Sequence, residues 1–260
     1  AWTRFRGENG AGSIPHCNVP LPWKAEDVAW EIDLPGKGNG SPIYYGDRIF
    51  LMSAHPDTAE RYLLGIDLAT GKTVWKKSEP SQPHILHTRS SYASSTPCAN
   101  ERAVYFAWAA PDNLTLAAFT HDGDEIWRRN LGSFASQHGH GASPALFGDT
   151  LVLFNSQAGA ELPPGVEPGQ SRVMAFNAAT GEDLWETPNV TTQTCYGVPT
   201  YFKDESGKDA LLLASTGDGI FALELDTGKP LWNTQVFSKR CVSCPVIVGD
   251  LAIGTEGSGG

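Results

Sequence analysis

The chain has 260 residues, of which 40% are hydrophobic and 18% are charged, and this composition is typical of a folded globular protein. The net charge of −10 argues against nucleic-acid binding, because a nucleic-acid-binding surface needs an excess of basic residues. No apolar run reaches the roughly 18 residues that a transmembrane helix requires, so we do not expect a membrane-spanning protein.

The first predicted strand lies at residues 28–32 and contains Trp30. Unlike the tryptophans that come later in the repeat, Trp30 is not preceded by a Gly-x-x-x turn, so this strand has no hairpin partner of its own. We therefore treat residues 1–37 as an N-terminal segment distinct from the rest of the chain.

From residue 38 onward, two sequence markers alternate along the chain. The first is a small residue followed by proline and an apolar strand, often closed by a Gly-Asp turn, and it occurs at Pro42, Pro97, Pro144, Pro199 and Pro245. The second is an apolar strand followed by Gly-x-x-x-Trp. The glycines of this motif are Gly71, Gly123, Gly181 and Gly228. The glycine supplies the positive φ that a tight hairpin requires, so each pair of markers predicts four short strands.

Four strands in a period of about 50 residues are typical of the blades of a β-propeller. We predict an all-β fold, a β-propeller of four-stranded antiparallel blades, with blades 1–4 and the start of blade 5 in residues 38–260. Residues 1–37 would form an N-terminal strap whose strand around Trp30 closes the ring as the outer strand of the last blade. Since only two strands of blade 5 are present, we expect further C-terminal blades or a partner to complete the ring.

One tryptophan occurs at a fixed position in each blade, and Trp30 matches that position. A large aromatic side chain can fill the seam between two blades, and its indole N–H can reach a backbone carbonyl of the neighbouring blade. Stacking on a cofactor is the alternative role, but a ligand site would not repeat identically in every blade. We therefore predict a structural role for Trp30, Trp75, Trp127, Trp185 and Trp232.

The segment Ile66-Asp67-Leu68-Ala69-Thr70-Gly71-Lys72-Thr73-Val74-Trp75 resembles the blade consensus of the pyrroloquinoline-quinone (PQQ) repeat family. Residues 176–185 and 223–232 match it nearly as well, and residues 119–127 are a shortened copy. The opening residues 2–10 resemble the start of mature exported members of this family. The resemblance implies a propeller fold and an exported protein, in the periplasm or outside the cell.

The same family contains PQQ-dependent dehydrogenases and non-enzymatic scaffolds such as the outer-membrane assembly lipoprotein. The dehydrogenases typically carry a disulfide between adjacent cysteines beside the quinone, whereas no two of the five cysteines are adjacent here. Our first hypothesis is a non-catalytic scaffold that binds a protein or a small ligand on its loop face, the face that carries the connections between blades. A PQQ-dependent oxidoreductase, whole or degenerate, and a structural subunit of a larger assembly are the alternatives.

A column of residues four positions before each blade proline supplies a metal-site hypothesis. The column reads Gly38, Ala93, His140, Cys195 and Cys241. Zinc and copper accept histidine and cysteine ligands, so His140, Cys195 and Cys241 would form a soft-metal site at the mouth of the channel. The alternative is that these are small or polar residues lining a hydrated channel.

Six further residues of the loop face are candidates for ligand contact: His84, His87, Tyr92, His138, Tyr196 and Cys244. Cys241 and Cys244 also have the spacing of a redox dithiol, although they lead into a strand and not a helix. A disulfide from Cys195 to Cys241 or to Cys244 is equally compatible with the sequence. The sequence assigns no cofactor, and PQQ and a soft metal ion are the two candidates.

Overall fold

A computed structural model describes residues 1–14, 20–110, 112–160, 162 and 164–257. The fold is an incomplete β-propeller, as the sequence predicted, with four four-stranded antiparallel sheets followed by a two-stranded sheet. Within each sheet the strands pair in the order in which they occur in the chain. Short 3-10 helices span Glu8–Gly10 and Ala25–Asp27, and no helix in the described residues is long and apolar enough to cross a membrane.

Each blade is a meander of four strands that run from the innermost to the outermost position. Blade 1 contains β1 (Ile43–Tyr45), β2 (Arg48–Ala54), β3 (Arg61–Asp67) and β4 (Thr73–Glu79). Blade 2 contains β5 (Cys98–Ala99), β6 (Val104–Ala110), β7 (Asn113–Phe119) and β8 (Glu125–Asn130). Blade 3 contains β9 (Ala145–Phe147), β10 (Thr150–Asn155), β11 (Ser171–Asn177) and β12 (Asp183–Asn189). Blade 4 contains β13 (Thr200–Lys203), β14 (Asp209–Ser215), β15 (Gly219–Glu224) and β16 (Pro230–Thr234). Blade 5 contributes β17 (Val246–Val248) and β18 (Leu251–Ile253).

The position of a strand within its blade explains its residue pattern. The middle strand β6 is buried along almost its whole length because both of its faces pack against neighbouring blades. The outer strand β4 carries a mostly exposed pattern in which Trp75 is the buried residue. A shift of register recurs opposite the Gly-x-x-x-Trp hairpin of blades 1–4, which shows that the four sheets repeat one backbone design.

The hydrophobic core consists of separate layers between adjacent blades. One layer joins blades 1 and 2 and includes Phe50, Trp75 and Phe106. Equivalent layers join blade 2 to blade 3 and blade 3 to blade 4. Because each layer needs a blade on both sides, the burial of a blade face depends on its neighbour as well as on its own sequence.

Residues 2–10 run past the innermost strands of several blades. Trp2 forms a β-bridge with Tyr44 of blade 1, and the Thr3 carbonyl accepts a hydrogen bond from the Ala99 N–H of blade 2. Farther along, Arg4 Nη2 donates to the Pro199 carbonyl at 2.6 Å. The first residues therefore tie non-adjacent blades together at the propeller axis.

The strand expected around Trp30 is absent from the described structure, where residues 28–34 have no strand assignment. An outer strand forms only by pairing with the third strand of its own blade, and none of the described strands pairs with this segment. The Trp30 side chain nevertheless occupies a blade seam, because its indole Nε1 donates to the Leu68 carbonyl of blade 1 at 3.0 Å. The Trp30 side chain thus takes the position of a blade tryptophan, although its segment does not form the outer strand on which the other blade tryptophans lie.

Candidate functional site

The connectors between successive blades lie side by side on one face of the propeller, the loop face. They comprise residues 80–97, 131–144, 190–199 and 235–245. The Asn39 and Gly40 N–H groups both donate to the Ala93 carbonyl at 3.0 Å, and the Tyr196 N–H donates to the Cys241 carbonyl at 2.9 Å. Backbone contacts near this column of the repeat therefore join the segment before blade 1 to the first connector, and the third connector to the fourth.

A small cleft opens between the connectors that follow blades 1 and 2. Its volume is about 180 Å³, and its lining includes His84, Ile85, Phe134 and Ser136. Ile85 stands at the rim, where half of its surface is exposed. The cleft combines an apolar floor with a few polar groups, a combination suited to holding one apolar side chain of a partner.

Four of the loop-face candidates form two aromatic pairs beside this cleft. The ring centroids of His84 and Tyr92 are 4.7 Å apart, and those of His87 and His138 are also 4.7 Å apart. Burial lowers the pKa of both His84 and His138, and in His138 the nearby Arg240 and His87 lower it further. The imidazoles of His84 and His138 are therefore mainly neutral at neutral pH and act as hydrogen-bonding and packing groups.

Tyr196 connects a third connector to the same region. Its hydroxyl donates to the Gly139 carbonyl at 3.2 Å, and burial raises the pKa of this phenol. Cys244 lies apart from these groups, because its sulfur accepts the Val198 N–H at 3.3 Å on the side of the innermost strands. All six loop-face candidates lie on the connectors, but Cys244 is turned toward the innermost strands and away from the other five.

The structure does not gather His140, Cys195 and Cys241 into one metal site. Across the described residues, no group of three or more His, Cys, Asp or Glu side chains could hold a metal ion. His140 packs edge-on against Phe134, with ring centroids 5.1 Å apart, and its buried Nε2 has no hydrogen-bond partner. Burial lowers the pKa of His140 to about 3, so its imidazole is neutral.

Cys195 and Cys241, in contrast, are direct neighbours. Both are fully buried, and the Cys241 N–H donates to the Cys195 sulfur at 3.4 Å. Interaction with the Cys241 thiol lowers the pKa of Cys195, and the same interaction raises the pKa of Cys241. The pair therefore loses its first proton from Cys195.

Two buried arginines of this face were not singled out from the sequence. Arg61 Nε donates to the Tyr92 carbonyl at 2.8 Å, and its other nitrogens reach the carbonyls of Ala59 and Ala109. Arg240 Nε donates to the Thr194 carbonyl at 2.8 Å. Both arginines fasten connectors by donating hydrogen bonds to backbone carbonyls. No sequence signal distinguishes an arginine in this role from one exposed to solvent.

Comparison with known proteins identifies the repeat. The family described as outer membrane protein assembly factor BamB matches residues 23–138, 86–194 and 169–258. The chain belongs to this family. BamB from Burkholderia pseudomallei is 26% identical over 206 residues, which cover 77% of this chain and 43% of that protein. Tetrathionate hydrolase from Acidithiobacillus ferrooxidans is 27% identical over 236 residues, which cover 85% of this chain and 42% of that protein. The chain spans less than half the length of these two relatives.

Solved structures agree on the fold. BamB from Moraxella catarrhalis has a TM-score of 0.56 at 18% identity, covering 85% of this chain and 59% of that one. A europium-containing methanol dehydrogenase has a TM-score of 0.57 at 14% identity, covering 80% of this chain and 43% of that one. BamB and a methanol dehydrogenase therefore share this blade architecture, which by itself does not choose between their functions.

The cleft between the connectors does not have the size expected of a PQQ site of the dehydrogenase type. The cleft of about 180 Å³ is smaller than the roughly 300–1,000 Å³ of typical small-ligand pockets. The two cysteines in contact belong to connectors of different blades and are 46 residues apart in the chain. We therefore assign no reaction step to the quinone.

Proposed function

We propose that this chain is part of an exported, non-catalytic BamB-family scaffold that binds a protein partner through its loop face. The observation that carries the proposal is the small cleft with an apolar floor and an exposed isoleucine at its rim. Such a site accepts one anchoring side chain of a polypeptide, and buried apolar anchors dominate the energetics of protein interfaces. A relative described as an assembly factor supports the same role.

Paired isoleucine variants test the binding face. Ile85 lies at the cleft and is 50% exposed, whereas Ile126 lies on the outer strand β8 and is 45% exposed. We expect peptides selected from a random library on the purified chain to share an apolar anchor. The Ile85→Asp variant should weaken their binding by about tenfold or more, and the Ile126→Asp variant should not. Equal effects of the two variants would contradict the loop-face assignment.

A reconstitution experiment tests the non-catalytic part of the proposal. The purified protein is incubated with PQQ and calcium and assayed for dye reduction with alcohols and sugars. We expect no substrate-dependent reduction. Turnover with any of these substrates would overturn the scaffold assignment in favour of a quinoprotein oxidoreductase.

Cell fractionation of the native host tests whether the protein is exported. Recovery of the protein in the cytosol would contradict export.

We also propose that further blades or a partner cover the end of the propeller at blade 4. An open cleft of about 760 Å³ lies between blade 4 and strands β17–β18, and its lining includes Trp232, Ile247 and Leu251. In the inner seams, the corresponding space holds the Gly-x-x-x-Trp hairpin of the next blade. Protein isolated from its native source should therefore exceed the 27.9 kDa of this chain, either as a longer polypeptide or as a complex. A native mass equal to that of this chain alone would contradict the proposal.

A further inference from the structure

The contact between Cys195 and Cys241 joins two consecutive connectors of the loop face. Cys195 precedes blade 4 and Cys241 precedes blade 5, each four residues before the proline of its blade. Blades 1 and 2 use small residues, Gly38 and Ala93, at this position, and a Cβ on Gly38 would lie 3.2 Å from the Ala93 carbonyl. The repeat therefore holds these backbone positions close together, and in blades 4 and 5 both positions carry thiols.

Several hydrogen bonds hold the two cysteines in register. The Tyr196 N–H donates to the Cys241 carbonyl at 2.9 Å, and the Cys241 N–H donates to the Cys195 sulfur at 3.4 Å. The Cys195 N–H is held in turn by the Ser156 hydroxyl at 2.7 Å. Arg240 fastens the same two segments by donating to the Thr194 carbonyl. The two cysteines, both free thiols in this structure, are therefore held in contact by neighbouring connectors.

From this geometry we infer that Cys195 and Cys241 form a disulfide that joins the connector of blade 4 to that of blade 5. The bond lies beside the least enclosed part of the described fold, because β18 is exposed along its length. The disulfide would hold β17 and β18 on blade 4, where hydrophobic contact is sparse.

Thiol–disulfide exchange accounts for every atom and electron of this bond. The oxidant is a disulfide R–S–S–R, small or protein-borne. The Cys195 thiolate attacks one of its sulfurs, forming a Cys195–S–S–R mixed disulfide and releasing one RS⁻. The Cys241 thiolate then attacks the Cys195 sulfur and releases the second RS⁻. Two cysteine thiols are oxidised, R–S–S–R is reduced to two thiols, and the two cysteine protons pass to solvent or to the released thiolates. Since interaction with the Cys241 thiol lowers the pKa of Cys195, Cys195 is the thiol that attacks first.

Peptide mapping of the unmutated protein tests the inference directly. The protein is refolded with oxidised glutathione, free thiols are alkylated under denaturing conditions, and the digest is analysed without reductant. We expect one cross-linked peptide pair that contains Cys195 and Cys241, about 2 Da lighter than the two reduced peptides together. Alkylation of both residues would overturn the inference. So would a cross-link of either residue to Cys244 or Cys17, or stoichiometric zinc or copper retained by the two thiols.

Thermal unfolding adds a readout of the consequence. Oxidised protein should unfold at a temperature roughly 5–10 °C higher than reduced protein, because the bond closes a long loop of the unfolded chain. The difference should disappear in Cys195→Ser and Cys241→Ser and persist in the matched control Cys98→Ser, which alters another fully buried cysteine. An unchanged difference in the two serine variants would contradict the assignment. The peptide map decides the case even if a serine variant does not fold.

Discussion

Trp75 and Trp232 occupy the same position of the repeat, but they end in different environments. Trp75 is 9% exposed and donates its indole N–H to the His121 carbonyl of blade 2 at 2.8 Å. Trp232 is 42% exposed and lines the open cleft beside blade 5. The comparison shows that the repeat fixes the place of the side chain, whereas the neighbouring blade determines how much of it is buried.

The largest expected effect separates these two tryptophans. Trp75→Ala should lower the free energy of unfolding by about 3–5 kcal/mol, because it empties a closed seam and leaves the His121 carbonyl without its donor. Trp232→Ala should cost no more than about 1 kcal/mol, because much of that side chain already faces solvent. Urea denaturation of both variants gives the two values. Equal costs would show that the end seam is as well packed as the inner one.

The next effect concerns the glycine against which Trp75 packs. Gly123 has a φ of +92°, and a Cβ on it would lie 2.8 Å from the Trp75 ring. Gly123→Ala should therefore cost about 2–4 kcal/mol in denaturation experiments, from overpacking together with backbone strain. Gly148→Ala is the matched control, since Gly148 has a φ of +60° but no atom near the added methyl group. Its cost should be only about 1–2 kcal/mol, and a difference of zero would contradict the close-contact explanation.

A pH-dependent effect follows from His140. Its pKa is lowered to about 3 by burial, so the folded chain stays neutral at this site while the unfolded chain binds a proton below about pH 6.5. The contribution of His140 to the free energy of unfolding is therefore fully present above pH 6.5. It decreases as the pH falls, and about 2 kcal/mol is lost at pH 5. Denaturation at a series of pH values should give a shallower slope for His140→Gln than for the unmutated protein. Identical slopes would rule out a buried neutral imidazole.

The smallest effect lies on the outer edge of the seam between blades 1 and 2. The two terminal nitrogens of Arg128 donate to the Glu79 carboxylate at 2.8 and 2.7 Å, and these hydrogen bonds raise the pKa of the guanidinium. A double-mutant cycle with Arg128→Ala and Glu79→Ala should give a coupling energy of about 0.5–1 kcal/mol, because the pair is partly exposed to solvent. The coupling should fall at high salt. If no coupling is measured, the ion pair does not stabilise the seam, and the stability of the seam comes from its apolar core.

The candidate site was only partly predictable from the sequence. The alignment of blades on their prolines placed Cys195 and Cys241 in one column, and the structure brings them into contact. It also placed His140 there, although its ring packs on Phe134 instead. A column states which positions are equivalent but not the direction in which each side chain points, because that direction depends on the residues that fill each seam.

The sequence by itself determined the all-β class, the four-stranded blade and the position of the tryptophan in each blade, because hydrophobic period and glycine turns are local signals. Only the tertiary structure decided what each blade meets. In the folded chain, the Trp30 side chain packs in a blade seam although its segment is not a strand, and Arg4 donates a hydrogen bond to the Pro199 carbonyl near the propeller axis. Cys195 and Cys241, which lie on separate connectors, are in contact. These outcomes depend on contacts between residues distant in the chain, and such contacts form only when the blades stack.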